Sequence, residues 1–220
     1  MNRLAIFDCD GTLVDSHANI CLAMEHCFAD AGLIAPDRAA VRRIVGLSLP
    51  EAMRALLPEA EDARHQALAE GYKVSFRRMR ERGQVEEHLY EGIPEAIERL
   101  EADGWLLGVA TGKSDRGLRL VLEQHGLFQR FVTLQTADRH PSKPHPAMVE
   151  AAMAEAGAER GSTVMIGDTS YDILMAHNAG VRAIGVAWGY HETAELLAEG
   201  ADVVALHPSE LPLLCAREAI

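Results

Sequence analysis

No apolar run in this chain is long enough to span a bilayer, and the first one opens at Leu4, which leaves no room for a charged leader, an apolar stretch and a cleavage site. A cytoplasmic protein without a membrane partner is the expectation. Positive charge is also in short supply: 21 Lys and Arg against 33 Asp and Glu give a formal net charge of −12. Nucleic acids and anionic lipids attract basic surfaces, so no nucleic-acid partner is expected. A small anionic substrate stays compatible, because a site can carry its own positive field from a metal and a lysine. The 4 cysteines, Cys9, Cys21, Cys27 and Cys215, form neither a CxxC pair nor a zinc-type Cys/His pattern. They read as reduced, mostly buried thiols. Internal repeats, low-complexity segments and a GxxxxGK(S/T) loop for nucleoside triphosphates are missing too.

What is present is a globular composition, 48% apolar and 25% charged over 220 residues, enough for one large core or for a core with a small insert. Its organising stretch is Phe7-Asp8-Cys9-Asp10-Gly11-Thr12-Leu13-Val14-Asp15-Ser16, which follows a short apolar run, Leu4 to Phe7, that reads as a buried strand. The chain turns at Gly11. Side chains two apart on an extended segment share a face, which brings Asp8 and Asp10 together. Two carboxylates held that close repel unless a cation sits between them. Magnesium suits such an all-oxygen site, completed by water and a substrate phosphate. Cys9, between the acids, should point away from them. The competing reading is an ordinary polar turn after a first strand.

From Ser16 the period becomes helical, with Ile20, Met24, Cys27, Phe28 and Ala31 on one face and Gly32 ending the run. Up to Glu87 the sequence offers helices broken at Pro36, Pro50 and Pro58, and no convincing strand. Residues 16–87 therefore read as an all-helical domain inserted over the acidic site, with 1–15 and 88–220 forming the core. Arg77, Arg78, Arg80 and Arg82 read as a solvated helix face. Beyond Gly92 short apolar runs alternate with helices: Trp105 to Thr111, Phe131 to Thr136, Thr163 to Asp168, Arg182 to Ala187 and Val203 to Leu206 are the strands. The expected fold is α/β, a doubly wound parallel sheet in three layers, whose ligands gather at the carboxyl ends of the strands.

Three further segments fall at such ends. Thr111-Gly112 can offer a hydroxyl and unobstructed amides to a phosphate oxygen, or can be a strand with a polar stop. In Pro141-Ser142-Lys143-Pro144-His145-Pro146 the prolines fix where Lys143 points, and a lysine so placed beside carboxylates and a phosphoryl group would neutralise transition-state charge. A flexible surface lysine is the alternative. In Gly167-Asp168-Thr169-Ser170-Tyr171-Asp172 the first acid ends a strand and the second lies one helical turn on, back on the same side. Singly, Asp168 could be a helix N-cap and Asp172 an acid complementing the helix dipole.

Together these four segments resemble the haloacid dehalogenase-like phosphohydrolase superfamily over nearly the whole chain, and most closely its phosphoglycolate phosphatase group with a helical cap. The resemblance implies that Thr111 contacts the phosphate with Gly112 lending its amide, and that a cap loop bearing a glycine, here Val45 to Leu49 with Gly46, reaches over the substrate. Joined, the parts describe a Mg2+-dependent phosphatase acting on a small phosphorylated metabolite. Asp8 attacks phosphorus to give an aspartyl-phosphate, and Asp10 protonates the leaving alkoxide and later activates water. The metal is held by Asp8, Asp168 and the backbone carbonyl of Asp10, Lys143 holds phosphoryl oxygens, and Asp172 supports Lys143 or the metal-bound waters. A phosphomutase would keep all four segments, and a non-enzymatic binding module would lose a carboxylate. Haloalkanoate dehalogenation needs no acid at Asp10, and phosphonate hydrolysis would want a cap lysine, for which only Lys73 is present. A monomer or homodimer is expected.

Overall fold

The first strand, β1 (Asn2–Phe7), lies inside a six-stranded sheet because its run from Leu4 to Phe7 is apolar on both faces. Alternation sends Leu4 and Ile6 to one side and Ala5 and Phe7 to the other, and all four are fully buried. The structure is a computed structural model and describes residues 2–217. Ala5 and Phe7 share a core with Ile97 of α5 (Ile93–Ala102), Leu118 of α6 (Asp115–Gln124) and Leu214 of α10 (Leu211–Ala216). Leu4 and Ile6 share a second core with Val149 of α7 (Ala147–Ala156) and Ile173 of α8 (Ser170–Ala179). The result is the expected three layers.

The remaining strands are β4 (Trp105–Thr111), β5 (Phe131–Thr136), β6 (Ala158–Gly167), β7 (Arg182–Val186) and β8 (Val203–Ala205), all parallel, in the order β5-β4-β1-β6-β7-β8. The chain builds outward from β1 through β4 to β5, then crosses to the other side of β1 for β6. The order therefore reverses at β1, and the crevice of such a sheet opens at the carboxyl ends flanking that point. Phe7 pairs with Val109 on one side and Ile166 on the other, so β1, β4 and β6 end nearly level. Asp8, Thr111 and Asp168 all stand at that edge.

Between β1 and β4 runs a helical insertion, α1 (His17–Asp30), α2 (Arg38–Ile44), α3 (Leu49–Leu56) and α4 (Asp62–Glu81). It has a core of its own, in which Met24 and Phe28 of α1 meet Met53 of α3 and Leu68 and Met79 of α4. A two-stranded ribbon, β2 (Val14–Asp15) against β3 (His88–Leu89), ties together the points where the chain leaves for the insertion and returns from it. Neither strand of this ribbon is readable between the Leu4 to Phe7 run and Trp105 in the sequence, because two residues carry no period. The strand expected from Thr163 begins at Ala158 instead, where Ala158 pairs with Asn2 across a register shift. The short α9 (Thr193–Ala198) and α10 also lie below the length at which a helical stripe is readable. No helix among the described residues is long and apolar enough to cross a membrane.

Candidate active site

Asp8 leaves β1 with its backbone amide donating to Ile166 O at 2.9 Å, which locks the acid against β6. Asp168 follows β6, and Asp172 lies in the first turn of α8. The carboxylates of Asp8, Asp168 and Asp172 are buried, and one oxygen from each lies within 4.8 Å of the others. Asp168 is oriented by Thr12 Oγ1, which donates to Oδ1 at 2.8 Å, and by the Tyr190 amide, which donates to Oδ2 at 2.9 Å. The N-cap of α8 is Thr169, which rules out the capping reading of Asp168. The Thr169 amide and hydroxyl donate to Asp172 Oδ2 at 3.0 and 2.7 Å. Gly11 makes room for the group: its φ is +93°, and a Cβ there would lie 2.1 Å from Asp168 Oδ2.

Lys143 is buried among these acids, its Nζ 2.6 Å from Asp172 Oδ1 and 2.9 Å from Asp8 Oδ1. Burial alone would lower its pKa, but Asp172 and Asp8 outweigh that and hold it above the usual lysine range. Burial pushes the Asp8 carboxyl up to about 7, against the opposing pull of Lys143, and burial and Asp172 push Asp168 well above its ordinary value. One ammonium thus faces three carboxylates, and neither oxygen of Asp8 accepts an aligned hydrogen bond. That deficit of positive charge, among oxygen donors alone, fits a small hard divalent cation.

Asp10 is placed differently from its neighbour. Its carboxylate is outside the three-acid group and faces Lys113, whose Nζ donates to Oδ1 at 2.7 Å, with Ser16 Oγ donating to the same oxygen. Repulsion between Asp8 and Asp10 is therefore met by two separate lysines, and the crowding that calls for a cation lies among Asp8, Asp168 and Asp172. Cys9 turns into the apolar core beside Phe7 and Leu13, and burial raises its thiol well above the ordinary value, so it is no nucleophile.

Over this edge lies a cavity of about 320 Å³ lined on the sheet side by Asp8, Asp10, Thr111, Gly112 and Lys113, and on the insertion side by Gly46 among others. Gly46 follows the end of α2 with φ +99°, and the carbonyl oxygens of Gly46 and Leu47 pass so close to Gly112 that a Cβ there would be 2.6 Å from either. The loop thus both stops a helix and reaches the core. Thr111 ends β4, buried, and its Oγ1 accepts from the Lys113 amide at 3.3 Å. His140 bonds Gln135 Oε1 at 2.7 Å, away from the acids.

Several participants escaped the sequence reading. Lys113 stood inside the Thr111-Gly112-Lys113 run without a role. Its second contact, Glu87 Oε1 at 3.0 Å, is fully buried, and Glu87 in turn meets Arg80 at 2.6 Å. Arg80 is thus drawn inward from a stripe that otherwise faces solvent. These partners are joined by folding and share no local spacing.

The profile of the haloacid dehalogenase-like hydrolases matches residues 5–186. The chain belongs to that family. Its relatives include the "probable phosphatase IndB" of Dickeya dadantii, 39% identical over 93% of this chain and 89% of the relative. A phosphoglycolate phosphatase of Vibrio parahaemolyticus is 29% identical over 95% and 94% of the two chains. Among solved structures, a haloacid dehalogenase-like hydrolase from Streptococcus pneumoniae superposes with a TM-score of 0.83 at 23% identity, covering 97% of this chain and 98% of the other. The family member described here is a hydrolase of the phosphatase kind.

Proposed function

We propose that this phosphatase hydrolyses phosphomonoesters of small-molecule alcohols in two steps at Asp8. The observation that carries the reading is that Asp8, whose Oδ1 is held by the Lys143 ammonium and whose Oδ2 has no hydrogen-bond partner, lines a cavity also lined by Asp10 and Thr111. In the first step an Asp8 oxygen bonds to phosphorus as the bond from phosphorus to the alcohol oxygen breaks, and a proton from Asp10 goes to the departing alkoxide. In the second, water attacks phosphorus while its proton passes to Asp10, and the Asp8–phosphorus bond breaks to release phosphate. Lys143 holds a phosphoryl oxygen from beside Asp8, and Thr111 and the Gly112 amide take others. Asp172 keeps Lys143 in place and Ser16 and Lys113 orient Asp10.

Asp8, Asp168 and Asp172 would hold the divalent cation, Mg2+ by its preference for oxygen, with the Asp10 carbonyl as a further donor. When bound it supplies positive charge that lets a carboxylate approach an anionic phosphate. Residues 16–87 act as a cap in this reading, hinged at the β2–β3 ribbon and clamped by Arg42, which donates to the carbonyl oxygens of Tyr190 and Gly189 at 2.8 Å each. Closure excludes bulk water from the phosphoenzyme.

The test is phosphate release from a panel of phosphomonoesters with Mg2+ and with chelator, together with acid trapping of the phosphoenzyme. Chelator-sensitive release with label on Asp8 supports the reading. Release without any label on Asp8 overturns the two-step route.

A further inference from the structure

The walls of the cavity above Asp8 carry information about the leaving group that the reacting residues do not. A two-carbon acid ester such as phosphoglycolate would place its carboxylate only a few bonds from phosphorus, and that charge needs a cation or strong donors nearby. Of the five cations lining the cavity, three are spoken for and two are exposed. Lys113 is shared by Asp10 and Glu87, Arg80 is taken by Glu87, and Lys73 pairs outward with Glu70 at 2.8 Å. Arg77 and Arg116 also line the cavity and make no salt bridge among the described residues, but both are exposed.

Beside these charged groups the lining is mostly apolar. Tyr72 and Phe76 of α4 stand side by side, ring centroids 5.9 Å apart and planes at 41°, and Ile20, Met24 and Leu49 of the insertion close the space with Leu120 of α6. Two of its cations stand over an aromatic face: Lys113 Nζ lies 5.9 Å from the Phe76 ring centroid and Arg80 Cζ 5.6 Å from it. At about 320 Å³ the chamber is at the small end of pockets that enclose a ring-bearing ligand and far larger than a two-carbon acid requires. An apolar body entering it would leave water for contact with two aromatic rings and several aliphatic chains, whereas a compact carboxylate would find only cations that are exposed or already paired.

We infer that the physiological leaving group is an alcohol bearing a flat, apolar or aromatic body, bound between Tyr72 and Phe76 of the insertion and Leu120 of the core. Small acidic esters of the phosphoglycolate kind are then poor substrates. The inference rests on the phosphatase reading above and narrows its substrate class.

The test compares three unactivated primary-alcohol esters in the presence of Mg2+: ethyl phosphate, 2-phenylethyl phosphate and phosphoglycolate. The expected order places kcat/KM for the phenylethyl ester about ten- to thirtyfold above ethyl phosphate, with phosphoglycolate lowest. In Phe76→Ala the phenylethyl-to-ethyl ratio should fall toward unity. Because it is a ratio within one preparation, partial misfolding does not imitate this effect. Equal turnover of the ethyl and phenylethyl esters, or phosphoglycolate as the best of the three, overturns the inference while leaving the phosphatase reading intact. Absence of phosphate release from all three overturns the inference, and acid trapping on Asp8 decides the phosphatase route separately.

Discussion

Lys113 Nζ stands 2.7 Å from Asp10 Oδ1 and 3.0 Å from Glu87 Oε1, joining the proposed acid/base group to a fully buried carboxylate at the end of the helical insertion. Burial opposes the charge on Lys113, but Asp10 and Glu87 together raise its pKa well above the lysine range, so it is an ammonium at every working pH. Its removal leaves the fully buried Glu87 with Arg80 alone. Breaking one side of a buried pair commonly costs about 3 kcal/mol or more, which in a chain of this size lowers Tm by roughly 6–10 °C. Lys113→Met should show that loss together with a large fall in kcat. Lys113→Met/Glu87→Gln should recover most of the Tm and none of the activity, because Asp10 still lacks its partner. Recovery of both would make Lys113 a purely structural residue, as read by thermal melts and steady-state rates on the same samples.

Asp8→Asn removes the charge of the most crowded carboxylate while keeping its shape. Turnover should drop by about 10⁴-fold or more, since an amide does not form the acyl phosphate. Stability in chelator should hold or rise, because burial disfavours the ionised form of this residue. A melt and a phosphate-release assay settle the pair of outcomes, and residual turnover at near wild-type rate would remove Asp8 from the nucleophile's place.

Much of this arrangement was legible in the sequence, for identifiable reasons. The run Leu4 to Phe7 is apolar on both faces and the first polar residue after it must emerge at the sheet edge, so Asp8 announces itself. Asp168 ends a similar run, and the helical spacing to Asp172 carries the second acid back toward it. Lys143 was readable because prolines bracket it. What stayed hidden is long-range: Thr12 reaches Asp168 across the chain, the Tyr190 amide does the same from a loop, and Lys113 and Glu87 meet only after the insertion folds down. No periodicity marks such pairs, and a buried glutamate looks like a surface one until its surroundings are known.

The acidic cluster also fixes a pH dependence. Without a cation, Asp8 titrates near 7 in the folded protein against an ordinary value of 3.8, and Asp168 shifts in the same direction. A folded-state value above the unfolded one gives stability that is fully present below about pH 4 and is lost as pH rises through about 7. Cation binding requires the ionised carboxylates and so opposes this loss. The rise in Tm on adding Mg2+ should be larger near pH 7.5 than near pH 5.5, and Asp8→Asn should flatten the difference. An equal rise at both values would mean that these carboxylates are not the ones that bind the metal.

Contact between cap and core makes a final, separable prediction at Gly112. A Cβ here would lie 2.6 Å from the carbonyl oxygens of Gly46 and of Leu47, and backbone oxygens do not yield as a flexible side-chain tip would. Gly112→Ala must therefore push the Val45 to Leu49 loop away from the sheet edge. Misplacement by about 1 Å of groups around a reacting phosphate costs up to about a hundredfold in rate, so kcat/KM should fall by roughly ten- to a hundredfold. The core strands are untouched, and the cap should become easier to cleave by protease in the closed, phosphate-bound state. Gly161→Ala serves as the control, since nothing lies within 4 Å of its Cβ position and its rate and cleavage pattern should match the wild type. Should Gly112→Ala keep full kcat/KM, the cap loop would have no part in building the site, and substrate selection would have to come from the sheet edge alone.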